Sequence, residues 1–223
     1  LYYNNLIASF LCNIGFNEVM NNSLVNENNI NNDMSINLMN SISKDISVMR
    51  TDLISGILKT IDYNINRKSI TNNFFEFGST YYKKNGNYEQ NKKLTIVMCG
   101  DLVNSNWLHQ KLTSNFFYLK NIVKNIFEKF NLNFDEEIID NGIVFKKSNK
   151  DIASIISLDN SLINKISISE DIFCATIDTT LLFKNINTSY FNVDKISKFP
   201  TVKRDFSFIL NNEVSYKSIE DCI

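Results

Sequence analysis

Residues 74–100 read FFEFGSTYYKKNGNYEQNKKLTIVMCG. Phe74–Tyr82 alternates between faces as a strand does, and Lys93–Gly100 is a second β-rich run. Between them stands Asn85-Gly86, a dipeptide suited to the type I′ turn, both of whose central residues need positive φ. The stretch predicts a β-hairpin. Further strand runs at 143–146, 152–158 and 172–178 join it through hairpin-like links more often than through helical crossovers, which predicts a mostly antiparallel sheet and an α+β fold.

Upstream lies SVMRTDLISGILKTIDYNINR (47–67). Met49, Leu53, Ile54, Ile57, Leu58, Ile61 and Ile65 recur at intervals of three and four, one apolar face of a single helix that either Ser47 or Thr51 can cap. Gly56 on that face costs about 1 kcal/mol relative to alanine in a helix interior, so another backbone is expected to approach it. The spacing suits either a core helix or one at a subunit interface. Arg50 and Arg67 are two of only three arginines, against 20 lysines. Arg50 could hold an anionic substrate or position the helix.

Further out, residues 1–20 carry apolar positions at Leu6, Ile7, Phe10, Leu11 and Ile14, a helix that Gly15 can stop. FNEVMNNSLV (16–25) reads as a strand, 26–33 as an Asn-rich loop, and Ser35–Met39 as a short strand. Ser114 can cap an amphipathic helix whose apolar side holds Phe116, Leu119, Ile122, Val123, Ile126, Phe127 and Phe130. Glu136–Glu137 read as solvated loop charges. The composition changes at 185–200, a polar stretch with the only proline, Pro200, and a domain boundary is expected there. Arg204–Leu210 then reads as a strand and Ser215 onward as a helix, the first β-α of a small α/β-plait unit. The start at Leu and the end at SIEDCI suggest a fragment of a longer chain.

Composition narrows the chemistry. The 43% hydrophobic and 12% aromatic content can fill a core, and apolar runs fall well short of the roughly 18 residues of a bilayer span. No secretory leader pattern opens the chain, so an intracellular, cytoplasmic protein is expected. Thirty-six asparagines and three alanines suggest AT-rich coding DNA, a hypothesis that the gene tests. Cys12, Cys99, Cys174 and Cys222 form no CxxC pair and sit in apolar settings, so they read as buried thiols; with one histidine, His109, no zinc cluster is expected. No triad set and no glycine-rich phosphate loop occurs. Net charge is −1, so any polyanion contact must be local. KISKFPTVKR (195–204) places Lys195, Lys198, Lys203 and Arg204 around Phe199, either a charged linker or a nucleic-acid contact.

Four stretches, in order, resemble the beta subunit of bacterial phenylalanyl–tRNA synthetase. SVMRTDLISGILKTIDYNINR is similar to that family's S-x-M-R-T-x-L-L-x-G-L-L helix with its N-x-N-R ending, and FFEFGSTYY to its F-E-I-G-x-x-F strand. Trp107 with NFFYLKNIV (115–123) resembles W…D-F-F-D-L-K-G, with Asn115 and Tyr118 in place of the two aspartates. ISKFPTVKRDFSFIL (196–210) resembles F-P-x-x-x-R-D, the entry to the anticodon-binding domain.

The resemblance implies a C-terminal portion of that subunit. Residues 1–190 would be a catalytically silent copy of the class II synthetase fold, an antiparallel sheet flanked by helices. Residues 191–223 would be a linker and the truncated start of a ferredoxin-like anticodon-binding domain. It implies an alpha-subunit partner in an (alpha-beta)2 heterotetramer, binding of tRNA(Phe), and ATP and magnesium used by the whole enzyme, with no cofactor or metal in this chain. It also implies a subunit interface through Met49, Arg50, Leu53, Ile54, Gly56, Ile57 and Ile61, with Lys198, Lys203 and Arg204 facing tRNA. The residues agree on silence by a separate route. Class II chemistry needs arginine forks on phosphate, yet none stands on 74–82 and none between Arg67 and Arg204. A free-standing RNA-binding or scaffold protein derived from such a domain is the alternative.

Overall fold

A computed structural model describes residues 2–26, 34–69, 71–103, 107–108, 110–158, 168, 170–186, 198–211, 213–214, 218–219 and 222. The chain divides into two compact units, Leu1–Asn187 and Thr188–Ile223.

The hairpin is the spine of the first unit. Strands β4 (Thr71–Lys84) and β5 (Asn87–Val103) pair antiparallel from Thr71↔Gly100 to Lys84↔Asn87. Asn85 and Gly86 have φ of 50° and 82°, the positive pair that a type I′ turn needs. Around them the sheet runs β1-β4-β5-β10-β9-β8-β7, with β6 (Leu112–Thr113) paired to the end of β5. The other strands are β1 (Asn17–Glu18), β7 (Asp135–Ile139), β8 (Gly142–Lys147), β9 (Lys150–Ser157) and β10 (Ile172–Asp178). Every pairing is antiparallel except β1 with β4. The expected α+β class with a large antiparallel sheet flanked by helices is what forms.

Helices cover both faces because alternate residues of the central strands are apolar on both. On one face Phe75, Leu94, Ile96, Met98, Ala175 and Ile177 pack under α1 (Tyr2–Asn13), α3 (Phe116–Lys129) and the short α4 (Thr179–Lys184). On the other, Phe74, Val97, Cys99 and Cys174 pack under α2 (Ile54–Ile65). Helix α1 stops as expected: Gly15 has φ of 95°, and the Phe16 N–H returns to the Leu11 carbonyl at 3.0 Å.

Several local expectations need correction. The 47–67 stretch is not one helix. Val48–Met49 is a two-residue strand, β3, paired with β2 (Leu24–Val25), and α2 begins only at Ile54. Neither Ser47 nor Thr51 caps it. The Asp52 carboxylate accepts the Ser55 N–H at 2.7 Å, while the Ser47 hydroxyl donates to the Lys44 carbonyl. Helix α3 is capped by Asn115, not Ser114, through the Tyr118 N–H at 2.8 Å. Aspartate and asparagine cap equally well, so the departure from the family pattern at 115 keeps the cap. The 16–25 run holds two short strands, not one, and of Ser35–Met39 only Asn37 bridges, to Val48; residues 27–33 lie outside the described set. Cys99 and Cys174 are buried as expected, but Cys12 and Cys222 are exposed. Arg204–Leu210 forms no strand. Residues 201–211 are exposed and irregular, and the described residues offer no neighbouring strand to complete a ladder.

Glu136–Glu137 are not loop charges. They lie in β7, where Lys146 pairs with Glu137, and the Glu136 carboxylate takes Lys120 at 2.7 Å and Lys124 at 2.9 Å from the adjacent helix. Burial pushes the Glu136 carboxyl up, but hydrogen bonds from the two lysines, with their charges, win and hold it below the ordinary carboxylate range. A carboxyl lowered by folding stabilises the fold above its unfolded pKa, and that contribution is lost as pH falls through the folded value. Urea unfolding from pH 6 to pH 3 should therefore show a stability loss that shrinks in Lys120→Met/Lys124→Met. Identical pH slopes would refute the clamp.

Candidate functional site

The α2 face of the sheet carries chemistry as well as core. Past the apolar row Phe74–Val97–Cys174–Ile156, the next row across four strands is Glu76, Thr95, Thr176 and Ser154, register neighbours on one face. Glu76 is 1% exposed and Thr95 fully buried, and the Thr95 and Thr176 hydroxyls lie 3.4 Å apart. A buried carboxylate must be paired and hydrogen-bonded to persist. Arg50 does this: its Nη1 donates to Glu76 Oε1 at 2.6 Å and to the Asn21 carbonyl at 3.2 Å, and its Nε donates to the Ser79 carbonyl at 3.0 Å. Asn21 completes the set. Its Nδ2 donates to Glu76 Oε2 at 2.8 Å, and its Oδ1 accepts from the Thr60 hydroxyl of α2 at 2.9 Å.

The backbone is shaped around this group. A Cβ on Gly78 would run into Arg50 Nη2 and lie 2.7 Å from Leu53 Cδ2, so the strand must be bare where guanidinium and leucine cross it. The M-R-T and F-E-x-G stretches are therefore two halves of one contact. The close approach expected at Gly56 also exists, but the neighbour is a side chain of the same chain: Asn21 Cβ would stand 3.0 Å from an added methyl. A cleft of about 210 Å³ opens beside the network, walled by Asn22, Leu24, Val25, Ser55, Gly56 and Lys59.

The residues assigned to a subunit contact thus fall into two groups. Leu53, Ile57 and Ile61 are buried against this chain's own sheet, and Arg50 is spent on Glu76; Met49, Ile54 and Gly56 remain half-exposed. What α2 and the turn after it present outward is polar, with Lys59, Tyr63 and Arg67 exposed and the Arg67 guanidinium 3.3 Å from the Tyr63 ring centre. In the second unit Lys198, Lys203 and Arg204 are exposed. His109 lies outside the described residues.

The polar row itself presents no cation. Its charged member is a carboxylate, its neighbours are hydroxyls, and Arg50, the arginine on that face, has its Nε and Nη1 on protein acceptors. Asn21 and Ser79, which complete the network, carry no signal in the sequence. No helix of the described residues is long and apolar enough to cross a membrane.

Comparison with known proteins meets this geometry. Residues 2–178 match the family described as "Phenylalanyl tRNA synthetase beta chain CLM domain". The chain is 31% identical, over 97% of its length, to the phenylalanine–tRNA ligase beta subunit of Bacteroides thetaiotaomicron, and 30% identical over 96% to that of Buchnera aphidicola. It spans 29% of the length of each of these relatives. Among solved structures it is similar to a pyrrolysyl tRNA synthetase of Desulfitobacterium hafniense, with a TM-score of 0.63 and 12% identity over 82% of this chain and 64% of that one. That likeness shows a fold shared with a synthetase.

Proposed function

We propose, from the premise that this chain belongs to the phenylalanyl–tRNA synthetase beta-chain family, that it is a catalytically silent, architectural part of a phenylalanine–tRNA ligase. The observation that carries the silence is the state of the α2 face. Class II chemistry calls for arginine forks on phosphate; strands β4 and β5 carry no arginine, and the α2 face holds a buried carboxylate paired with Arg50, with Gly78 leaving room for that arginine. A site filled by its own ion pair is scaffold.

In this reading an alpha subunit binds ATP, magnesium and phenylalanine and attaches the amino acid to tRNA(Phe), and alpha and beta assemble as (alpha-beta)2. Residues 1–190 form the silent class II copy. Residues 191–223 open a ferredoxin-like anticodon-binding domain and make the chain a C-terminal portion of its subunit. Lys198, Lys203 and Arg204 are its tRNA-side cations, supported by their exposure. The polar outer face of α2 and the half-exposed Met49, Ile54 and Gly56 fit a contact that excludes water less than a core does.

Co-expression with the alpha subunit from the same genome tests the reading. The two chains should co-elute, and phenylalanine-dependent ATP–pyrophosphate exchange should appear in the complex and not in this chain alone. Exchange by the isolated chain would overturn its silence. Failure to co-elute would overturn its place in the ligase.

A further inference from the structure

A second cavity, of about 340 Å³, lies at the other end of α2, between the helix terminus and the strand ends. Helix α2 closes with Lys68 at φ of 64°, its N–H on the Ile65 carbonyl at 2.8 Å, so the chain turns sharply into β4. Asn72, 1% exposed, stands on the wall of the cavity. Its Nδ2 donates to the Ser69 carbonyl at 3.2 Å, which fixes the amide: a flip would set two acceptors against each other. Its Oδ1 is thereby left buried without a hydrogen-bond partner. Such an orphan costs about 1–3 kcal/mol and calls for an explanation.

The other groups around the cavity are charged. Gly100, at φ of 82°, pairs with Thr71 of β4, and Asp101 follows, opposite Thr113 of β6, 6% exposed and held by Lys111 at 3.0 Å. Lys68 and Glu170 stand exposed at the rim. The Cys99 thiol at the back is pushed up to about 12, by burial first and then by the charges of Glu170 and Asp171, so it is a neutral wall beside Ile65. The deep groups are acceptors, and the rim carries the Lys68 and Lys111 ammonium groups beside the Glu170 carboxylate.

We infer that this cavity is a binding site for a small zwitterion, whose ammonium donates to Asn72 Oδ1 and the Asp101 carboxylate and whose carboxylate meets Lys68 and Lys111. The volume is at the low end for small-molecule sites, which fits a ligand of amino-acid size. The inference stands apart from the ligase reading and holds or fails without it.

Glycine and β-alanine are the probes, titrated into the ¹⁵N-labelled chain while the Asn72 side-chain amide resonance is followed. Saturable shifts are expected for at least one of them. Trimethylglycine keeps both charges but has no N–H to give Asn72, so it should produce no saturable shift. Lys68→Ala, at the exposed rim, should weaken binding about threefold, the scale of one surface charge pair. Absence of saturation by both probes overturns the site. Equal binding of trimethylglycine overturns the role of Asn72.

Discussion

Arg50→Met should lower stability by about 3–5 kcal/mol in urea unfolding, because it leaves the Glu76 carboxylate buried and uncompensated. Arg67→Met, on an exposed arginine stacked over Tyr63, should stay within about 1 kcal/mol. The double variant Arg50→Met/Glu76→Leu should recover most of the loss, since a buried ion pair replaced by apolar groups of similar volume is often neutral. That recovery separates two roles an arginine can have at this position. A guanidinium retained to hold phosphate would leave the fold nearly untouched on removal. Here it ties β4 to the link before α2 and to Asn21 at once, so the cost falls on folding. A loss below about 1 kcal/mol for Arg50→Met would remove the anchor and reopen the face as a ligand site.

Gly142→Ala should cost about 3 kcal/mol, at the upper end for overpacking. The added Cβ would collide with the Ile155 carbonyl oxygen and lie 3.0 Å from Ile156 Cα. Both are backbone atoms of β9 and cannot turn aside as a side chain can. The response should be local as well as global, with faster amide exchange along the β8–β9 ladder. Gly56→Ala is the gentler comparison: its neighbour is the Asn21 side chain, and the helix gains about 1 kcal/mol of propensity that offsets the crowding. If the two cost the same, backbone rigidity is not what makes Gly142 necessary.

The hairpin was legible because Asn-Gly has a single strong backbone demand and both flanking runs alternate. The core face of α2 was legible because Ile57, Leu58 and Ile61 obey helical spacing. The start of α2 was not. Met49 fits the same spacing by coincidence, and its pairing with Leu24 depends on a strand two dozen residues away that local periodicity cannot show. Strand β7 was hidden for another reason: Asp135, Glu136 and Glu137 open it, and acidic residues disfavour strands unless partners from elsewhere in the fold satisfy them, as Lys120 and Lys124 of the neighbouring helix do for Glu136 and Lys146 of β8 does for Glu137. The site was half visible. The scarcity of arginine pointed to a positioning role for Arg50, whereas Glu76 as its partner required knowing that β4 passes under the link. Nothing in NNSLV marks Asn21 as the residue that completes the network. An apolar helical stripe also cannot tell a chain's own sheet from a partner; the resemblance pointed to an interface through Leu53, Ile57 and Ile61, and these three are buried against the chain's own sheet.

The strand order has a consequence for how the sheet can be assembled. Strands β4 and β5 form one self-contained ribbon and β7 to β9 form another, each joined by short turns. Strand β10, the last of these sheet strands in chain order, lies between them, bonded to β5 on one side and β9 on the other. Until residue 172 emerges, each half carries an open edge that native pairing cannot yet close. The seam of the sheet is thus its final stitch, and the core between α1 and α3 can close only around a strand that both halves have had to wait for.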